Sequence, residues 1–143
     1  MAEIIELEVI TPAGFSLKSQ IQDLYIPAFY GEAGILSNHL PYVSVLNTGE
    51  VSFLELSGKR HYLFIKEGFL EVRNNRIIIV ADGVIRGEEL PISELERRLA
   101  ESEQRVKSAF SGQITPEQLE QELVEQRVIR LQLAIGRQAE KAD

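Results

Sequence analysis

The residues best suited to chemistry lie in one short stretch, GEAGILSNHLP, which runs from Gly31 to Pro41. It contains the carboxylate of Glu32 and one of only two histidines, His39. A carboxylate and an imidazole that face each other can act as general base and acid. Their separation of seven residues matches no motif that fixes such a geometry. A small enzyme with a Glu32/His39 active-site loop therefore stays an alternative, and no catalytic residue is assigned.

The remaining candidates for chemistry are His61, Asp23 and Asp82, which stand apart in the sequence. His61 alternates with Tyr62 in a predicted strand and is expected to be half exposed. The chain has no cysteine, so it can supply neither a thiolate nucleophile nor a cysteine zinc site. Two histidines are too few for an all-histidine metal site. No metal ligand is predicted.

The glycines of the stretch do not form a phosphate loop. GEAGIL and the later GVIRGEE lack the lysine and hydroxyl of GxxxxGK[ST], and GxGxxG is absent, so no cofactor is predicted. Gly31 and Gly34 are expected where the backbone needs positive φ or approaches a neighbour closely. The stretch is predicted to be an exposed loop that contacts another protein, because it is accompanied by apolar residues, namely Phe29, Tyr30, Ile35 and Leu36.

Overall composition favours a folded intracellular protein with protein partners. The net charge is -7, from 15 basic and 22 acidic residues, which argues against nucleic acid or an anionic membrane surface as the main partner. The acidic N-terminus, with Glu3, Glu6 and Glu8, does not resemble an export signal. No uncharged run is apolar enough for direct membrane insertion, so any membrane association is expected to go through other proteins.

Up to about Leu90 the sequence alternates with period two in short segments separated by turn residues. This pattern predicts an antiparallel β-sandwich or barrel. Asn74-Asn75 predicts a tight hairpin, because asparagine tolerates the left-handed backbone that such a link requires. The apolar run that follows Arg76 predicts a central strand buried on both faces. We place this first part at residues 1–88.

Beyond Leu90 the period becomes helical. Ser93 and Glu96 predict a capping box, and Gly112 predicts the end of the first helix. A second helix is predicted to start at Thr115-Pro116-Glu117-Gln118. Because the link is short, residues 91–143 should form an antiparallel two-helix hairpin. Its apolar positions are Leu95, Leu99, Ser102, Val106 and Phe110, then Leu119, Leu123, Val124, Val128, Ile129, Leu131, Leu133 and Ile135.

Two segments resemble a known family. GEAGILSNHLPYVSVLNTGEV, followed by KEGFLEVRNNRIIIVADGVIRGEEL, is similar to the epsilon subunit of bacterial rotary ATP synthases. That family has the motif GExGI...H.P....L..G and later G.LEV......V.AD.A.R.E.. in the same order. The change to two helices near residue 90 also matches the plan of the family, so the resemblance covers nearly the whole chain.

The resemblance implies an α+β chain in two parts, a ten-strand β-sandwich followed by a helical hairpin. It implies a rotor subunit that couples proton translocation to ATP synthesis at the cytoplasmic face of the cell membrane. The sandwich would bind the gamma subunit and the c-ring. The loop residues that match the family's contact region are Gly31, Glu32, Gly34, Ile35, His39 and Pro41.

The resemblance also gives the hairpin an inhibitory role, in which it extends along gamma between alpha and beta subunits and blocks ATP hydrolysis. A hairpin of this size buries too few apolar side chains to be stable alone, so we expect it to be mobile between alternative docking partners. We hypothesise that its arginines meet acidic residues of a beta subunit. These are Arg97, Arg98, Arg105, Arg127, Arg130 and Arg137. The plainer interpretation of the same residues is a solvated helix face, and a free-standing adaptor for a helical partner is a third alternative.

One segment departs from the family. Some members bind ATP through [IL]DxxRA at the start of the first helix, whereas this chain has LPISEL from Leu90 to Leu95. Pro91 replaces the aspartate and Glu94 replaces the arginine. A carboxylate in the place of a phosphate-binding arginine repels the ligand, so ATP binding is expected to be weak or absent.

Overall fold

The computed structural model describes residues 3–112 and 114–142, and the side chain of Phe110 lies outside the described part. Within it the chain forms seven strands followed by helices. The strands are β1 Ile5–Ile10, β2 Ser16–Ala28, β3 Gly31–Leu36, β4 Tyr42–Leu46, β5 Gly49–Glu55, β6 Arg60–Arg73 and β7 Arg76–Arg86. A 3-10 turn at Gly87–Glu89 leads to α1 Ile92–Ser108, a second 3-10 turn at Ala109–Ser111, and α2 Pro116–Lys141.

The strands fold into a sandwich of two layers. One layer places β4, residues 68–73 of β6, residues 76–80 of β7, and β1 side by side. The other places β3, residues 21–28 of β2, β5 and residues 60–65 of β6 side by side. Residues 16–21 of β2 extend the first layer by pairing with β1, and residues 84–86 of β7 extend the second by pairing with residues 63–65 of β6. Because β2, β6 and β7 thus each contribute to both layers, seven long strands take the place of the ten that the family resemblance implies.

The sandwich is antiparallel with one exception, the pair formed by β1 and β7, which run parallel. The central position of β7 is confirmed, since it lies between β1 and β6. The prediction that β7 is buried on both faces was wrong. Ile77 and Ile79 are buried in the core, whereas Ile78 points outward and is 41% exposed.

The hairpin is antiparallel, as predicted, and its second start signal is confirmed. The Thr115 hydroxyl accepts from the Gln118 amide at 3.1 Å, and the Gln118 side chain accepts from the Thr115 amide at 2.8 Å. Gly112 adopts φ 77° where the first helical segment ends. The capping box at Ser93 and Glu96 was wrong, because α1 already begins at Ile92 and has no side-chain cap.

The hairpin packs against the outer side of the β5–β6 layer. A second apolar cluster, separate from the sandwich core, joins Phe64 of β6 to residues of the linker and both helices. Its other buried members are Leu90, Leu95, Ile129, Leu133 and Ile135. The sandwich thus helps to cover the part of the apolar belt of α2 that contains Ile129, Leu133 and Ile135. Leu123 and Val124, nearer the start of α2, are each 44% exposed.

Candidate functional site

The stretch predicted to be a loop is in large part a strand. Residues 31–36 form β3, which pairs antiparallel with residues 23–28 of β2. Phe29 and Tyr30 form the turn between these strands, and both rings are exposed. The prediction of a loop was wrong for residues 31–36. The glycines and the glutamate of this segment do not indicate a strand, and its strand conformation depends on pairing with β2. Only residues 37–41 form an irregular connection, to β4.

Gly31 and Gly34 have the backbone roles expected of them. Gly31 has φ 135°, a conformation that side-chain-bearing residues rarely adopt. At Gly34, an added Cβ would meet the ring of Tyr25 at 3.0 Å, so the ring covers the glycine. Ile35 was predicted to contact a partner, but it is buried in the sandwich core. Pro41 is exposed and directly precedes β4.

Glu32 and His39 lie on separate clefts. Glu32 lines a cleft with Glu50 and with Leu131 of α2, whereas His39 lines a cleft beside Asn75. Burial raises the pKa of Glu50, and the nearby negative charge of Glu32 raises it further. The His39 ring contacts the Leu40 carbonyl oxygen through Nδ1 at 2.8 Å and meets the Tyr42 ring edge-on. The structure therefore does not bring the two candidate residues together for proton transfer.

Asn75 ties the 37–41 connection to the β6–β7 turn. The backbone N–H of Asn38 donates to Asn75 Oδ1 at 2.6 Å, and Asn75 Nδ2 donates to the side-chain oxygen Oδ1 of Asn38 at 3.2 Å. Asn75 Nδ2 also donates to the Glu3 carboxylate at 2.6 Å. The sequence singles out Asn75 only as a turn residue, since nothing local indicates a partner 37 residues away.

An exposed apolar surface lies on the layer that the hairpin leaves uncovered. Four outward side chains from adjacent strands form what we call the apolar strand face, namely Val43, Val45, Phe69 and Ile78. Further exposed apolar residues occur in the nearby turn, in β3 and in the 37–41 connection, namely Phe29, Tyr30, Leu36 and Leu40. The Tyr30 and Tyr42 hydroxyls lie 2.6 Å apart and share a hydrogen bond. Exposed apolar surface of this extent is typical of a protein contact site.

Sequence reasoning missed the apolar strand face. The alternation of β4 gives no indication of which side is the inner one, since Tyr42, Ser44 and Leu46 point one way and Val43 and Val45 the other. The available signal was the presence of apolar residues at outward positions of neighbouring strands. That signal requires the register of β4 against β6, in which Val45 lies opposite Phe69.

Most of the candidate arginines are engaged within the hairpin. Four of them bridge the two helices: Arg98 to Glu125 at 3.0 Å, Arg105 to Glu122 at 2.6 Å, Arg130 to Glu103 at 3.5 Å, and Arg137 to Glu96 at 3.0 Å. Arg97 pairs with Glu101 of its own helix at 2.7 Å. Arg127 is exposed and makes no hydrogen bond or ion pair within residues 3–112 and 114–142. The six arginines are therefore not equivalent.

A buried polar network joins the middle of the two helices. The hydroxyl of Ser102, in α1, donates to the Glu122 carboxylate, and Gln126 Nε2 donates to the Ser102 oxygen at 3.1 Å. The Arg105 guanidinium lowers the pKa of Glu122, and the hydrogen bond from Ser102 lowers it further. The sequence places Ser102 on the inner stripe of α1 but does not identify its partners.

The remaining candidates have structural roles. Nη2 of Arg60 donates to both carboxylate oxygens of Asp23, at 2.8 and 3.0 Å. His61 is more buried than expected, because its ring stacks on Phe53 with 5.0 Å between centroids. His61 Nε2 lies 3.1 Å from Glu55 Oε1, and this close approach of the imidazole lowers the pKa of that carboxyl. Asp82 is exposed on β7.

Within the described ranges, no group of three or more histidine, aspartate or glutamate side chains could hold a metal ion. None of the helices there is long and apolar enough to cross a membrane. At the segment that departs from the nucleotide-binding motif, Glu94 lies 3.8 Å from Arg97 and is exposed.

Comparison with known proteins gives a consistent family. Residues 4–87 match the family model described as ATP synthase, Delta/Epsilon chain, beta-sandwich domain. The ATP synthase epsilon chain of Nitratidesulfovibrio vulgaris (strain DP4) is 32% identical over 74% of this chain and 78% of the relative. That of Dichelobacter nodosus is 31% identical over 83% of this chain and 82% of the relative.

Solved structures agree on the fold. A chain in the cryo-EM structure of the Euglena gracilis mitochondrial ATP synthase, described as OSCP/F1/c-ring in rotational state 1, matches with a TM-score of 0.77. The identity is 21%, over 92% of this chain and 80% of that chain. A chain in the central stalk and c-ring of the Tetrahymena thermophila mitochondrial ATP synthase matches with a TM-score of 0.52, at 14% identity, over 63% and 72% of the two chains.

Proposed function

The chain belongs to the ATP synthase delta/epsilon family, and from this we propose that it is a non-catalytic central-stalk subunit of an F-type ATP synthase. In this role it turns with the gamma subunit and the c-ring, and couples proton translocation to ATP synthesis. Its place is peripheral, at the cytoplasmic face of the cell membrane. The membrane association is indirect and goes through the c-ring.

The observation that carries this proposal is the apolar strand face, Val43, Val45, Phe69 and Ile78. A surface of this kind is unfavourable in water and is stabilised when a partner covers it. The hairpin packs on the other layer, so a stalk subunit can bind this face while the helices remain where they are. We assign the strand face to gamma, and the adjoining turn and 37–41 connection to gamma and the c-ring.

Substitution of the apolar strand face tests the docking role. Phe69→Asp should weaken binding of the chain to a gamma-containing F1 complex by tenfold or more, since a charge then opposes an apolar contact. Leu56→Asp is the matched control, because Leu56 is 45% exposed and Phe69 is 49% exposed. Leu56 lies beyond β5, away from the strand face. Equal binding by both variants would refute the assignment.

We propose further that the hairpin restrains ATP hydrolysis by the assembled enzyme. The interhelical ion pairs support a hairpin that can open, because exposed pairs of this kind contribute only about 0–1 kcal/mol each. When the helices separate, their arginines become available to acidic side chains of a beta subunit. Arg127 is available without any such separation.

Charge reversal tests the inhibitory role. Arg127→Glu combined with Arg130→Glu should raise ATP hydrolysis by the reconstituted enzyme, because two attractive contacts become repulsive. Lys141→Glu is the control, as it reverses a charge at the C-terminal end of α2, whereas Arg127 and Arg130 lie in its middle. If hydrolysis is unchanged in the double variant, these arginines do not hold the inhibitory state.

A further inference from the structure

The side chain of Asn75 makes hydrogen bonds that its place in the turn does not require. Asn75 has φ 59° in the β6–β7 link, a conformation that glycine would satisfy equally well. Its amide nevertheless exchanges two hydrogen bonds with Asn38 and makes a third with Glu3. The Asn75 carbonyl oxygen in addition accepts from the Glu6 amide at 2.9 Å. The side chain of Asn75 thus joins a residue that precedes β1 to the 37–41 connection, while its backbone bonds to β1.

At the other end of this clamp is the segment with the most exposed apolar side chain in the described residues. Leu40 is 79% exposed, and it lies in the 37–41 connection with His39 and Pro41. Asn38 itself has φ 63°, so the chain enters this connection through a residue in the left-handed region. The bond from the Asn38 amide to Asn75 Oδ1 is short, at 2.6 Å, and fixes the point where the chain changes direction.

We propose that Asn75 is a positioning residue that holds the 37–41 connection in the conformation that docks, so that Leu40 reaches the partner without further ordering. This inference rests on the proposed function, since the partner is the gamma-containing stalk. A segment that is already ordered loses less conformational entropy on binding than a mobile one. Asn75 thus contributes to affinity without being required to touch the partner.

The neighbouring residue provides a matched control. Asn74 lies in the same link at φ 51°, and its side chain makes no hydrogen bond within the described ranges. Glycine tolerates positive φ at either position. Asn75→Gly therefore removes the clamp and keeps the turn, whereas Asn74→Gly changes the turn equally and keeps the clamp.

The experiment compares the full-length wild type with the two variants for affinity toward F1 complex purified without this chain. Asn75→Gly should weaken binding by about tenfold, as expected when a few side chains must be ordered on association. Asn74→Gly should change it less than about twofold. Hydrogen exchange at the Asn38 amide should become faster only in Asn75→Gly, while far-UV circular dichroism remains that of the wild type in both.

A double-mutant cycle separates positioning from general loss of stability. Leu40→Ala should weaken binding when it is introduced into the wild type. In the Asn75→Gly background the same substitution should weaken binding by a smaller factor, because a mobile connection no longer presents Leu40. Unchanged affinity in Asn75→Gly, equal loss in both glycine variants, or additive effects with Leu40→Ala would each overturn the inference. Failure of the wild type to bind would overturn the proposed function as well.

Discussion

Ser102 of α1 donates a hydrogen bond of 2.6 Å to the carboxylate of Glu122 in α2, from a position that is completely buried. Gln126 donates to the same hydroxyl, and Arg105 donates to the other carboxylate oxygen of Glu122 at 2.6 Å. The helices are therefore joined at mid-length by polar groups, and near the sandwich by apolar ones. A buried polar network is stable only while all its members are paired, so loss of one member affects the others.

Ser102→Ala should lower the free energy of unfolding by about 1–3 kcal/mol, because Gln126 loses its acceptor and Glu122 loses a donor. Urea unfolding followed by circular dichroism measures the change. Ser108→Ala is the control, since its hydroxyl donates only to the Gln104 carbonyl oxygen of the same helix, at 3.3 Å and in an exposed position. That variant should change stability by less than about 0.5 kcal/mol. Equal losses in the two variants would contradict a special role for the network.

Acidification should loosen the hairpin through Glu122. Its pKa is lowered by Arg105 and then by Ser102, so the ionised form is favoured in the folded state. The resulting stability is present above the usual carboxyl pKa of 4.5 and is lost as pH falls through the lower folded pKa. Unfolding free energies measured from neutral to acid pH should therefore decline more steeply in the wild type than in Glu122→Gln. Parallel curves would show that Glu122 is not responsible.

The contribution of Glu50 to stability should depend on pH with the opposite sign. Its pKa is raised first by burial and then by Glu32, so folded-state stability from this group increases as pH falls through its folded pKa. Glu32→Gln should lower the Glu50 pKa only in part, because burial remains. Carboxyl NMR titration measures both. Glu67→Gln, at an exposed position, is the control. If the Glu50 pKa is the same in the wild type and in Glu32→Gln, the two carboxylates are not coupled.

Gly136→Val should weaken the packing of α2 on the linker and on the start of α1. An added Cβ would lie 2.5 Å from Ile92 Cδ1 and 3.4 Å from the Leu90 Cβ. Overpacking of this kind destabilises by about 1–3 kcal/mol, and hydrogen exchange along α2 should become faster. Ala134→Val is the control on the exposed side of the same helix, where valine changes only helix propensity. If both variants exchange alike, the close contact at Gly136 does not hold the helix.

The isolated chain should show weak or no ATP binding in calorimetry. The family resemblance places Glu94 at the position of a phosphate-binding arginine, and its carboxylate would face phosphate oxygens of the same charge. Micromolar affinity would overturn this expectation. Binding that appears only in Glu94→Arg would instead support the charge argument.

The sequence alone determined the features that depend on neighbours in the chain. The change from strand to helix near residue 90, the Asn74-Asn75 link and the capping box at Thr115 all follow from patterns of a few residues. The local rule failed at Ser93, where the linker packs Leu90 against α2 and the N-cap is Pro91, two residues earlier. The alternation of apolar and polar residues predicted that strands form, but it did not predict that Ile78 points outward.

Only the tertiary structure decided which surfaces are covered and which partners the polar side chains find. Asn75 and Asn38 are 37 residues apart, and Ser102 and Glu122 are 20 apart. Period and propensity describe one segment at a time, whereas these contacts depend on strand register and on the rotation of one helix against the other. The apolar strand face arises for the same reason, since it exists only once β4, β6 and β7 lie side by side.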